Sequence, residues 1–187
     1  MDFNLTGSLL ISTPAMGDPR FAHTVIYLCA HGSDGAFGLV LNRPLPRLRL
    51  ADVLAQIGIE ASGPGATARV LAGGPVESQR GFVLHGPLAG GEDSGQSLPD
   101  GLMLSASTEI LRAIARGEGP EEWLLALGYA GWGAGQLEAE IAQNAWLTCA
   151  APRALIFDAA PGEHQWHAAL RSMGVDPMSL SAVAGRA

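Results

Sequence analysis

From Trp123 to Trp132 the chain reads Trp-Leu-Leu-Ala-Leu-Gly-Tyr-Ala-Gly-Trp, with no charged side chain anywhere in the run. A segment like this has no polar face to turn to water. It is also far short of the roughly 18 apolar residues that a membrane span requires. A central strand covered on both faces is the structure that such a run fits. The rest of the chain must supply the covers.

Upstream of the run, Ser8–Ser12 reads as a short strand. Thr24–Cys29 and Phe37–Leu41 read as a hairpin around the turn residues His31–Gly35, closed by Asn42-Arg43-Pro44 because proline cannot continue a ladder. Leu50, Val53, Leu54 and Ile57 fall on one helical face, with Gly58 placed to cap it. Arg69–Ala72, Gly81–His85 and Leu102–Leu104 have strand character, and residues 86–100 read as an exposed loop. A helix capped by Ser107 or Thr108 carries Ile110, Leu111, Ala113 and Ile114 on one side. Beyond the apolar run, a helix with Leu137 and Ile141, a strand at Ala154–Phe157, and a last helix with Trp166, Ala169, Leu170 and Met173 complete the pattern. Alternation of this kind predicts an α/β fold. The expected molecule is one domain over residues 1–187, a mixed sheet with helices packed on its faces and a hairpin near the N-terminus.

Composition narrows the chemistry. The 187 residues are 48% hydrophobic and 16% charged, and all eleven basic side chains are arginine. Without lysine, a P-loop of the G-x-x-x-x-G-K-[ST] type, a Schiff base and a Ser–Lys dyad are all excluded. A net charge of −7 argues against nucleic acid as partner, since basic residues on phosphates supply most of that affinity. Cys29 and Cys149 lie in separate apolar runs and read as buried reduced thiols. Met1–Leu5 has no basic start and Leu9-Leu10-Ile11 is too short for a signal core, so a cytoplasmic protein is expected, with no membrane anchor.

Several ordered motifs stand out. They are Gly17-Asp18-Pro19-Arg20-Phe21, Gly38-Leu39-Val40-Leu41-Asn42-Arg43-Pro44, and Gly73-Gly74-Pro75-Val76 followed by Arg80-Gly81-Phe82-Val83-Leu84-His85. Gly128-Tyr129-Ala130-Gly131-Trp132, Gly135-Gln136-Leu137-Glu138 and Trp146 complete the set. Together they resemble the YqgE/AlgH family of bacterial proteins, over residues 5 to 187. The resemblance implies a small cytosolic α/β protein without an agreed biochemical activity. Its label of transcriptional regulator comes from a proposed role in controlling alginate production; no basic helix-turn-helix face accompanies it here, so the resemblance implies at most an indirect regulator of gene expression.

Asp18, Arg20, His31, Asn42, Arg43, Glu77, Arg80 and His85 all fall in loops or at strand ends, where open α/β sheets place their ligands. Arg20, Arg43 and Arg80 could grip a carboxylate or phosphate bidentately, if the fold brings them to one hollow. Alternatively, Asp18–Arg20 and Glu77–Arg80 pair locally and only brace turns. Gly73-Gly74 and Gly131-Trp132 belong to glycine-rich turns that either approach an anion or pack strand on helix. The second departs from a dinucleotide fingerprint, with Glu138 where the third glycine would stand.

The expected function is therefore a cytosolic binding or regulatory protein, monomeric or weakly dimeric, whose ligand is a small anion or an acidic protein segment, with no cofactor. A second reading is a hydrolase or transferase using His85 as acid/base beside Arg80. A third is direct DNA binding in a regulator. His31-Gly32-Ser33-Asp34-Gly35 lacks the first glycine of a nucleophile elbow. His164 and His167 face away from the apolar side of their helix with no further ligands nearby, so no metal is expected.

Overall fold

A computed structural model of the chain describes residues 4–89 and 95–183. The strands are β1 (Ser8–Ser12), β2 (Val25–Gly32), β3 (Gly35–Val40), β4 (Pro44–Arg49), β5 (Arg69–Ala72), β6 (Val76–His85), β7 (Gln96–Ser97), β8 (Met103–Ser105), β9 (Trp123–Gly133) and β10 (Trp146–Ala150). The helices are α1 (Leu50–Gln56), α2 (Thr108–Ala115), α3 (Gln136–Ala142), α4 (Glu163–Ser172) and α5 (Pro177–Val183). The strands form a curled mixed sheet in the order β10-β1-β2-β3-β9-β6-β8-β7, with β5 laid parallel on β9 and β4 antiparallel on β5. The α/β domain with helices on its sheet faces is the expected one, and so is the β2–β3 hairpin, which turns at Ser33-Asp34.

β9 is central because both of its edges are taken. Its first half runs between β5 and β6, in the registers Leu71↔Ala126 and Phe82↔Ala126, and its second half pairs with β3, Gly38 opposite Ala130. The two-residue period of the neighbouring strands then sorts the core. Leu9, Ile11, Val25, Tyr27, Cys29, Leu39, Leu71, Phe82 and Leu84 pack on one face, under Trp166, Ala169 and Leu170 of α4. Leu10, Ile26, Leu28 and Val40 pack on the other, against Leu137 of α3, while Val70, Val83 and Leu125 meet α1 and α2.

Some expectations are corrected. Ala154–Phe157 is not a strand but the body of a π-helical turn, Ala154–Asp158, whose first amides (Leu155 and Ile156) donate to the Pro152 carbonyl. The strand that follows α3 is β10, which pairs with β1 throughout. Pro44 does not end the sheet; it opens β4 at an edge, where its missing N–H costs nothing. Within the expected loop 86–100, Gln96–Ser97 forms β7, and residues 90–94 lie outside the described residues.

Candidate functional site

α4 covers only a portion of its sheet face. Beyond it, an open groove of about 470 Å³ runs over Ala30, Phe37, Arg80, Phe82, Gln96, Leu104 and Tyr129, side chains from six different strands. Its floor is aromatic. The Phe37 ring centroid lies 5.4 Å from Phe82 and 4.8 Å from Tyr129, and Phe82 meets Tyr129 edge-on at 5.9 Å. Such offset and edge contacts hold the rings rigid without closing the groove.

Arg80 forms the rim. Its guanidinium sits 5.1 Å from the Phe82 centroid, and Nη1 meets Glu77 Oε2 at 3.2 Å, with both side chains more than half exposed. Opposite, Gln96 donates from Nε2 to the Cys29 carbonyl, 3.0 Å, tying β7 to β2. A second hollow, lined by Thr6, His31, Gln96 and Trp132 among others, continues the groove past Ala30 and Phe37, which the two share.

The three arginines do not gather around one hollow. Arg20 binds Asp18 bidentately, Nε to both carboxylate oxygens at 3.1 Å and Nη2 to Oδ2 at 2.7 Å, which holds the Asp18 carboxyl below its usual range. Arg43 donates from Nη2 to the Ala22 carbonyl and adds a weaker pull on Asp18. Neither arginine belongs to the groove that Arg80 borders.

The remaining candidates divide by burial. Asn42, only 3% exposed, accepts from the Val25 N–H through Oδ1 and donates through Nδ2 to the carbonyls of His23 and Gly162. It is a clamp inside the fold. His31 accepts from the Leu5 N–H at Nδ1 and donates from Nε2 to Glu138 Oε1, joining the N-terminal segment to α3. Trp132 and Trp146 both donate to Glu140 Oε2, at 2.9 and 2.8 Å. At Gly131 a side chain would press on the Tyr129 ring, and at Gly73 and Gly74 it would meet the backbone of Gly128 and Tyr129. These glycines let strands approach; the Gly133 N–H is already taken by Gln136.

His85 is withdrawn as an acid/base group. It is fully buried in the core, with Nδ1 donating to the Gly86 carbonyl at 2.6 Å and Nε2 accepting from Ser105 Oγ at 2.9 Å. A general base must reach a substrate proton, and this ring reaches none. Burial likewise pushes the Cys29 thiol well above its ordinary range, away from the nucleophilic thiolate. Among the described residues, no three His, Cys, Asp or Glu side chains are grouped to hold a metal. None of their helices is long and apolar enough to cross a membrane.

Sequence reasoning passed over Phe37, Phe82, Tyr129 and Gln96, because apolar strand residues look alike until the covering helix is placed. It also passed over His23, which takes a left-handed backbone (φ 52°), stacks on Trp166 at 4.3 Å and meets Glu163 Oε1 through Nδ1 at 2.9 Å.

A curled α/β domain whose described residues leave part of one sheet face as an aromatic groove is the class that this architecture defines. The chain belongs to the AlgH-like family (DUF179), whose model matches residues 9–178. It is 50% identical to a UPF0301 protein of Paracoccus denitrificans over 98% of this chain and 97% of that one. A UPF0301 protein of Rhodospirillum rubrum is 48% identical, over 98% and 94%. The solution structure of AlgH from Pseudomonas aeruginosa superposes with a TM-score of 0.78 at 46% identity, covering 98% of this chain and 95% of that one. The crystal structure of DIP2367 from Corynebacterium diphtheriae, at 24% identity and a TM-score of 0.69 over 94% and 89%, shares the fold.

Proposed function

We propose that this protein is a non-catalytic cytoplasmic binding domain, monomeric or weakly dimeric, that recognises an acidic protein segment through the Arg80 groove. The observation that carries the reading is the Arg80 guanidinium stacked on Phe82 at the rim of an open aromatic floor. Its competitor, Glu77, forms an exposed pair of a kind worth about 0–1 kcal/mol, so an incoming carboxylate displaces it at little cost. The rings below offer apolar area to a neighbouring side chain of the same segment, and Arg with aromatic residues is the composition of binding hot spots. A regulatory role exercised by such binding is the kind that the sequence resemblance implies. It does not call on a basic DNA-reading face.

The test is an NMR titration of amide shifts with a short Glu-Phe-Glu peptide and its Lys-Phe-Lys counterpart. Shifts at residues 80–82, 96 and 129 with the acidic peptide, weakened about tenfold by Arg80→Ala, are expected. Equal responses to both peptides, or none to either, refute the reading.

A further inference from the structure

The Arg80 groove does not stop at Phe37. The hollow that continues it, about 520 Å³, runs to the tip of the β2–β3 hairpin, where Ser33, Asp34 and Gly35 border it. Ala30, Phe37 and Gln96 line both parts, so a single ligand can lie along the whole trough. The two ends differ in charge. Among the described residues that line it, Arg80 is a cation at one end and Asp34 a carboxylate at the other. His31 borders the second hollow too, but its ring is buried, with Nδ1 on the Leu5 N–H and Nε2 on Glu138. The Trp132 indole N–H is spent on Glu140, so that ring offers only apolar surface.

The Asp34 carboxylate is exposed, and no described residue pairs with it. Its place is nonetheless fixed. Ser33 and Asp34 are the two residues between the paired Gly32 and Gly35, a connection with little freedom of its own. Gly35 stands opposite Gly133 with φ 130°, and a Cβ there would run into the Trp132 carbonyl, so the hairpin tip lies directly on β9. From Asp34 to Phe37 the chain advances three residues, about 10 Å of strand. The Phe37 ring is 5.4 Å from Phe82, and Phe82 is 5.1 Å from the Arg80 guanidinium. The path between the two charges is on the order of 20 Å, about six residues of extended chain.

Building on the reading of this groove as a site for an acidic segment, we propose that the segment is dipolar. Its carboxylate meets Arg80, an apolar side chain lies on Phe37, Phe82 and Tyr129, and a basic side chain about five positions from the carboxylate meets Asp34. Opposite charges at two fixed points complement such a segment and set its register, because a purely acidic one of the same length would bring like charge against Asp34. A dipolar segment also has little net charge, so the −7 of the molecule does not hold it off.

The experiment is an amide-shift titration of the full-length protein with N-acetylated, C-amidated peptides of one composition and no net charge. Glu-Ala-Phe-Ala-Ala-Lys and its reverse, Lys-Ala-Ala-Phe-Ala-Glu, separate their charges, whereas Glu-Lys-Phe-Ala-Ala-Ala sets them side by side. One of the separated peptides should shift residues 33–35 as well as 80–82. It should bind about three to five times more tightly than the side-by-side peptide, as an exposed charge pair allows. Asp34→Asn, which keeps a turn-forming residue at the hairpin tip, should bring that ratio to about one. Shifts at residues 80–82 with the side-by-side peptide binding as tightly as either separated one overturn the dipolar segment and leave the Arg80 reading standing. So does a ratio that survives Asp34→Asn. No response to any of the three, nor to Glu-Phe-Glu, overturns both.

Discussion

At the scale of single residues, the distinction that matters is whether a polar group has spent its hydrogen bonds. Asn42 and Arg80 look alike in the sequence, both beside turns and both in the motifs that carry the family resemblance. Asn42 has used its oxygen and its amide on three main-chain groups inside the fold, whereas among the described residues the Arg80 guanidinium hydrogen-bonds an exposed glutamate and lies over Phe82. Replacing Asn42 with alanine strands the Val25 N–H and two carbonyls away from water. At about 1–3 kcal/mol for a buried group left unpaired, and with partial relaxation, a loss of about 3–5 kcal/mol is expected in urea unfolding. A loss below about 1 kcal/mol would show that the loop before β2 is held by something else. No sequence pattern separates these two roles, because partners 19 and 120 positions away decide them.

At the scale of elements, β9 was legible because burial on both faces leaves an uninterrupted apolar run, and the β2–β3 hairpin because turn residues stand between two apolar segments. The Ala154–Asp158 turn was read as a strand, and β10 was passed over, for the opposite reason. Ala-Leu-Ile-Phe satisfies strand and buried turn equally, while the edge strand Trp146–Ala150 alternates and exposes Thr148 and Ala150 to solvent. The Gly73-Gly74 crossing shows how an element is held by an absence. Gly74 has φ 155°, and a Cβ there would fall on the Tyr129 backbone, at the place where β9 passes from β6 to β3. Gly74→Ala therefore cannot be absorbed by rotating a side chain. A destabilisation of about 3 kcal/mol or more is expected by chemical denaturation, against well under about 1 kcal/mol for Gly17→Ala, where the space is open.

At the scale of the whole molecule, the sequence could show that arginines lie at strand ends but not which ends the curl of the sheet brings together. Arg20 and Arg43 gather at Asp18, Arg80 stands over the aromatic groove, and Arg49 with Arg69 occupies the outer strands. All of them sit on a molecule of net charge −7, so an acidic segment approaching Arg80 is repelled at long range and attracted only at contact. Salt acts on the two unequally. At about 0.15 M the Debye length is roughly 8 Å, which screens the distant carboxylates while a guanidinium–carboxylate contact lies well inside it. Affinity of the Glu-Phe-Glu peptide should thus stay level or rise as salt increases from about 10 mM to 150 mM, with the gain in the association rate. A ligand that replaced counterions on many phosphates would do the reverse, its affinity falling linearly on a log–log plot with a slope near −0.9 per phosphate contacted, or roughly −0.7 on a single strand. Measuring that slope for the peptide and for a random duplex separates a binder of acidic segments from a reader of DNA. A steep negative slope with the duplex, and none of the expected behaviour with the peptide, would return this domain to the nucleic-acid readings that its charge argues against.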